Sequence, residues 1–145
     1  MNIATSRLRF AFFVLALFAA IPARAQSLSP AQIKQIEDIA QTIALQHNQN
    51  EKAMLDDTTV SSRATAVGRN VRFENTLRVK KGLPAAKLKE FSDETQREVV
   101  SRSCIVNASN PAFDRGLTYT FVYANTYGEK LAEFNVDKSV CARYR

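Results

Sequence analysis

The sequence predicts an α+β domain in the order α-β-β-α-β-β: one four-stranded antiparallel sheet, made of two hairpins, with two helices packed on it and one disulfide. Three observations lead to that class. Apolar residues recur at helical spacing in two stretches, Ile33, Ile36, Ala40, Ile43 and Leu88, Phe91, Thr95, Val99. Two other stretches alternate apolar with polar side chains beside Gly-bearing turns, as half-buried strands do. Helices and strand pairs succeed one another without the strict β-α alternation of a parallel α/β fold.

The first segment reads as an address. Residues 1–25 carry Arg7 and Arg9 before the apolar run Phe10 to Ala20, and Ala23-Arg24-Ala25 closes them, the pattern of a cleaved secretory signal peptide. The run is shorter than the roughly 20 residues that span a bilayer, so no stable membrane anchor is expected after cleavage. Gln26 is the expected mature N-terminus, and residues 26–145 form the single domain.

Ser29-Pro30-Ala31-Gln32 has the form of a capping box with Pro at the first helical position, and it opens a helix from about residue 30 to 48. Ile39 widens its apolar stripe. Thr58 to Val67 favour a strand, and Gly68-Arg69-Asn70 turns it into a second strand from Val71 to Lys80. There Val71, Phe73, Asn75, Leu77 and Val79 alternate with charged or polar residues. Gly82 and Pro84 interrupt the chain before a second helix that ends near Cys104, with Ser92 as an alternative start. Asn110-Pro111 and Gly116 bracket a short turn. Leu117 to Ala124 and Lys130 to Val136 then form the second hairpin around Asn125-Thr126-Tyr127-Gly128.

Composition narrows the function classes. The 145-residue chain is 46% hydrophobic and 23% charged, with only four Gly and four Pro, which excludes a collagen, a solenoid and a coiled-coil rod. Removing Arg7, Arg9 and Arg24 with the signal leaves 17 basic against 14 acidic residues, a net charge of +3 rather than +6. That excess is too mild and dispersed for a nucleic-acid partner. The nearest basic cluster, Arg78, Lys80, Lys81, Lys87 and Lys89, is interrupted by Gly82 and Pro84 and reads first as a solvated turn.

Cys104 and Cys141 are the only thiols, and export to an oxidising compartment makes their pairing the expected state. The single imidazole, His47, lies at the end of the first helix, where a cation complements the helix dipole; with no second His and no free thiol, no metal site or cofactor is expected. Asp56, Asp57, Glu129 and Glu133 are the carboxylates a hydrolase could use, but capping a turn is the commoner use of Asp56 or Asp57. No Gly-x-Ser-x-Gly elbow, phosphate loop or calcium loop occurs. Asn107-Ala108-Ser109 matches a glycosylation sequon, a weak motif. Tyr119, Phe121, Tyr123, Tyr127 and Phe134 read as core beneath the helices, with Tyr123 and Tyr127 flanking a turn and suited to a protein contact.

The residues also resemble a family of small exported bacterial proteins of unassigned function. The likeness runs over about residues 47 to 141. It covers Asn48 and Asn50 before Asp56-x-x-Thr59, a hairpin, a helix ending in Cys104, Gly116-x-x-Tyr119-x-x-x-Tyr123, Gly128 and the closing Cys141. The family pattern has Leu-Pro where this chain has Glu51-Lys52. The resemblance implies fold and compartment and brings no activity with it.

The expected product is therefore a periplasmic or secreted protein without enzymatic activity that binds an envelope or secreted protein. Tyr123, Tyr127, Arg78, Lys80 and Lys81 are the candidate contacts. The alternatives are a carrier of an apolar or lipid ligand and a small carboxylate-dependent hydrolase.

Overall fold

The computed structural model describes residues 27–144; the signal-peptide reading of residues 1–25 lies outside them. Helix α1 spans Pro30–Gln49 and begins as its capping box directs, Ser29 Oγ accepting from the Gln32 N–H and Gln32 Oε1 from the Ser29 N–H. Its buried residues Ile36, Ala40 and Ala44 fall one turn apart, so two methyl-sized side chains let the helix lie close on the sheet. A single 3₁₀ turn, Glu51–Met54, leads to strand β1, Thr59–Val67. Gly68, at φ +56°, reverses the chain into β2, Asn70–Leu77.

Helix α2 spans Ala85–Val106, longer than the spacing predicts by two residues at its C-terminus and without a break at Ser92. The expected turn at Asn110-Pro111 is a one-turn helix, α3, Pro111–Asp114, capped by the Asn110 side chain on the Ala112 N–H. Strands β3, Thr118–Asn125, and β4, Lys130–Val136, form the second hairpin, and a further short helix, α4, Lys138–Arg143, follows it. The two predicted helices are thus joined by two short ones that periodicity cannot detect at four and six residues.

The sheet order is β1-β2-β3-β4, and the sheet is mixed. Both hairpins are antiparallel as predicted, but β2 and β3 pair in parallel, with Val71 beside Tyr119, Phe73 beside Phe121 and Leu77 beside Asn125. The purely antiparallel reading is corrected by α2. A 22-residue helix carries the chain back to the end where β2 began, and a strand entered from that end must run the same way. Strand β2 also stops at Leu77 rather than Lys80, because both of its neighbours end there: the Arg78 N–H donates to the Thr58 carbonyl and the Thr126 N–H to the Leu77 carbonyl.

All helical packing is on one face. α1 covers β1 and part of β2, while α2 covers β4. The core between them holds Ile36, Val71, Val100, Leu117, Tyr119, Phe134 and Val136, each under a tenth exposed. Burying an aliphatic side chain of this size stabilises the fold by about 1.5–3 kcal/mol. Cys104 and Cys141 are bonded, with Cα atoms 5.4 Å apart, so the bridge joins α2 to α4 just beyond the sheet. Closing its 37-residue loop contributes about 4 kcal/mol in the chain-entropy model.

Candidate functional site

With α1 over one edge of the sheet and α2 over the other, the middle of the inner face has no helix above it. Phe73 on β2 and Phe121 on β3 lie there side by side, rings 5.0 Å apart and 14° from parallel, and both remain partly exposed. Two cavities of about 350 and 250 Å³ open over these rings and share Phe73, Phe121, Arg102 and Ser103, so they form one groove. Ile43 and His47 of α1 make one wall, and Val99, Arg102, Ser103 and Val106 of α2 the other. One end is almost wholly apolar, between Ile43 and Val106; the other reaches Met54, Thr59 and a polar floor.

That floor is a chain of hydrogen bonds. Ser62 Oγ donates to Asn75 Oδ1 at 2.7 Å, which leaves the hydroxyl as acceptor for His47 Nε2 at 2.9 Å. The imidazole also sits edge-on to Phe73, 5.0 Å between centroids. His47 thus joins α1 to β1 and lines the groove, a position the dipole reading does not contain. Arg102 stands on the rim in an exposed pair with Glu98 at 2.9 Å.

The predicted contact residues divide between two places. Tyr123 is half-buried in the groove floor, stacked on Phe134 and edge-on to Phe91, and burial pushes its hydroxyl up to about 12. Tyr127 is 64% exposed at the tip of the β3–β4 turn. Because β2 and β3 are parallel, that turn adjoins Arg78, Lys80 and Lys81, which follow β2; an antiparallel pair would have put them at opposite ends. The same end carries Asp56, Asp57 and Glu129, so it is a mixed-charge surface and not a basic patch. Of the aromatic set read as core, Tyr119 and Phe134 are buried, Phe121 and Tyr123 floor the groove, and Tyr127 is outside.

The carboxylates have structural tasks. Asp56 accepts the N–H groups of Thr58 and Thr59, and the Thr59 bond foremost holds its carboxyl below the usual range. Glu129 accepts from the Gly82 N–H and the Asn125 amide, and the Gly82 bond does most to lower it. Glu133 is lowered first by Lys130 and then by Arg72, to both of which it is paired. All three are held ionised, opposite to the shift a general acid requires. Among the described residues no three His, Cys, Asp or Glu side chains gather as metal ligands, and no helix is long and apolar enough to cross a membrane. The sequon asparagine, Asn107, is buried: its amide nitrogen donates to the Ser103 carbonyl and its oxygen accepts from Tyr119 Oη at 2.9 Å, so the folded chain does not present it for glycosylation.

No protein-family model matches the chain, and no curated protein matches it by sequence. Solved structures do share its fold. The type II secretion system pilotin AspS of Vibrio cholerae superimposes with a TM-score of 0.56 at 21% identity, over 77% of this chain and 96% of that one. The type 2 secretion system pilotin EpsS of Vibrio vulnificus gives 0.55 at 17% identity, over 78% and 97%. A Pseudomonas aeruginosa protein described as secreted gives 0.55 at 13% identity, over 79% and 99%. At these identities the likeness establishes the fold. Two of these neighbours are pilotins of type II secretion systems.

Proposed function

We propose that this chain is an exported, non-enzymatic accessory protein of the bacterial envelope that holds a short apolar segment of a partner protein in the groove between α1 and α2. The observation that carries the reading is the groove itself. Two stacked phenylalanines floor it, and Val106, 73% exposed, forms its lip, an arrangement that leaves apolar surface uncovered in the free protein. The floor from Tyr119 to Tyr123 is about 13 Å long at strand rise, which accommodates about nine residues of helix. Two neighbours of the same fold are pilotins of type II secretion systems, which favours a partner within an envelope assembly over a soluble substrate. The groove is open along its length, a shape suited to a polypeptide segment rather than to an enclosed lipid.

The test is affinity capture by the tagged mature protein from its native envelope extract, run beside Phe121→Asp and Val106→Asp. A stoichiometric protein recovered by the wild type and reduced at least tenfold by both variants, with circular dichroism unchanged, is the expected result. Equal recovery by the variants would refute the groove as the interface. Loss instead with Tyr127→Ala or with Arg78, Lys80 and Lys81 replaced would move it to the turn surface. Recovery of lipid alone would favour the carrier reading. Export is tested by N-terminal sequencing of the envelope protein, which is expected to begin at Gln26.

A further inference from the structure

Helix α2 forms one wall of the groove, and its last two turns are weakly held by packing. Val100 is the only fully buried residue of α2; beyond it Ser103 and Cys104 are half-buried, Cys104 against the core, and Ser101, Arg102, Ile105 and Val106 are exposed, the two aliphatic ones at 74% and 73%. Two ties remain. One is the Asn107 amide at the C-cap, bonded to the Tyr119 hydroxyl. The other is the disulfide from Cys104 to Cys141, which is anchored on α4 beneath the Asp137 cap. Six residues with no fully buried side chain do not persist as helix alone in water, so these ties decide where Arg102, Ser103 and Val106 stand. The disulfide also borders a surface cavity of about 100 Å³ between Ala108, Phe113 and Ala142.

We infer that the Cys104–Cys141 bond is a redox-sensitive pin for the α2 wall of the groove, cleavable in the folded protein by a dithiol. As regulation of binding this rests on the groove reading above; as a constraint on α2 it does not. A reductant thiolate attacks Sγ of Cys104, the more exposed of the pair. The S–S bond breaks, and its electron pair leaves on Cys141, which takes a proton from water. The second thiol of the reductant then displaces Cys104 as a thiol, so two electrons and two protons reach the protein and the dithiol becomes a disulfide. The freed C-terminal turns of α2 fray, and the apolar end of the groove loses its wall.

Hydrogen exchange read by mass spectrometry tests this on the wild type, on the wild type in dithiothreitol without denaturant, and on the Cys104→Ser/Cys141→Ser variant. The expected result is that amides 101–107 lose protection at least tenfold more than those of β2 and β3 in both reduced forms. Three results would overturn it: protection falling by the same factor in helix and strands, a double variant without folded circular dichroism, or no free thiols after dithiothreitol treatment. The groove reading stands or falls separately on Phe121→Asp, whose capture result does not depend on the bond.

Discussion

Asn48 does at the edge of the sheet what another strand would do. Its side-chain nitrogen donates to the Ala64 carbonyl at 2.9 Å and its oxygen accepts the Ala64 N–H at 2.8 Å, so one amide satisfies both outward backbone groups of an edge residue. Asn48→Ala removes both bonds but leaves those groups within reach of water. The expected cost is about 1–2 kcal/mol, read as a lower urea midpoint at unchanged slope. The Asn-rich helix end is visible in the sequence; that Asn48 in particular meets the edge is not, because the contact spans 16 residues and depends on where α1 crosses β1. His47 is the same case. Its partner Ser62 is 15 residues away, and nothing in the local sequence distinguishes Ser62 from Ser61, whose side chain bonds Glu51 instead.

The two long helices are held in different ways. α1 seats Ile36, Ala40 and Ala44, and Ile36 is 2% exposed. Ile36→Ala is expected to cost about 2–4 kcal/mol, since the alanines beside it cannot move in to fill the space. Val100→Ala deletes two methyl groups at the one buried position of α2 and is expected to cost about 2 kcal/mol. Equilibrium denaturation measures both; a loss under about 0.5 kcal/mol at either position would show that it is not a packed core site. Helix α1 was legible almost to the residue, because capping box, Pro30 and apolar spacing agree. Helix α4 was not, although Asp137 accepts the Val140 N–H at 2.7 Å and is the cap signal that locates it.

At the scale of the fold, four carboxylates are expected to make stability fall in acid. Asp56, Glu129, Glu133 and Asp137 are all lowered by bonds made only in the fold, Asp137 first by Ser139 and then by the Val140 N–H. A group lowered in this way contributes stability that is complete above its ordinary range and is lost as pH falls through the folded value. The urea midpoint is therefore expected to be flat from pH 7 to about pH 5 and to fall steadily below about pH 4. Asp137→Asn is expected to lower the midpoint at pH 7 and to approach the wild type as pH falls through the range where Asp137 takes up its proton; a constant difference would assign the cap no titrating role. At the alkaline end Tyr123 runs the other way. Its neutral form is favoured, so its contribution is present below 10.0 and is lost as pH rises towards about 12, a delayed ionisation visible by ultraviolet absorbance.

Local chemistry was enough to read both hairpins, both long helices and the pairing of Cys104 with Cys141, because periodicity, turn residues and a single pair of thiols act over short spans or admit one solution. The parallel pairing of β2 with β3 could not be read, since it depends on how a 22-residue helix returns the chain and not on either strand's own residues. The groove follows from that same arrangement. Phe73 and Phe121 have the sequence signature of core, and only the separation of α1 from α2 above them leaves the two rings partly uncovered. A side chain's burial is a property of what stands over it, and what stands over these two is set by distant parts of the chain.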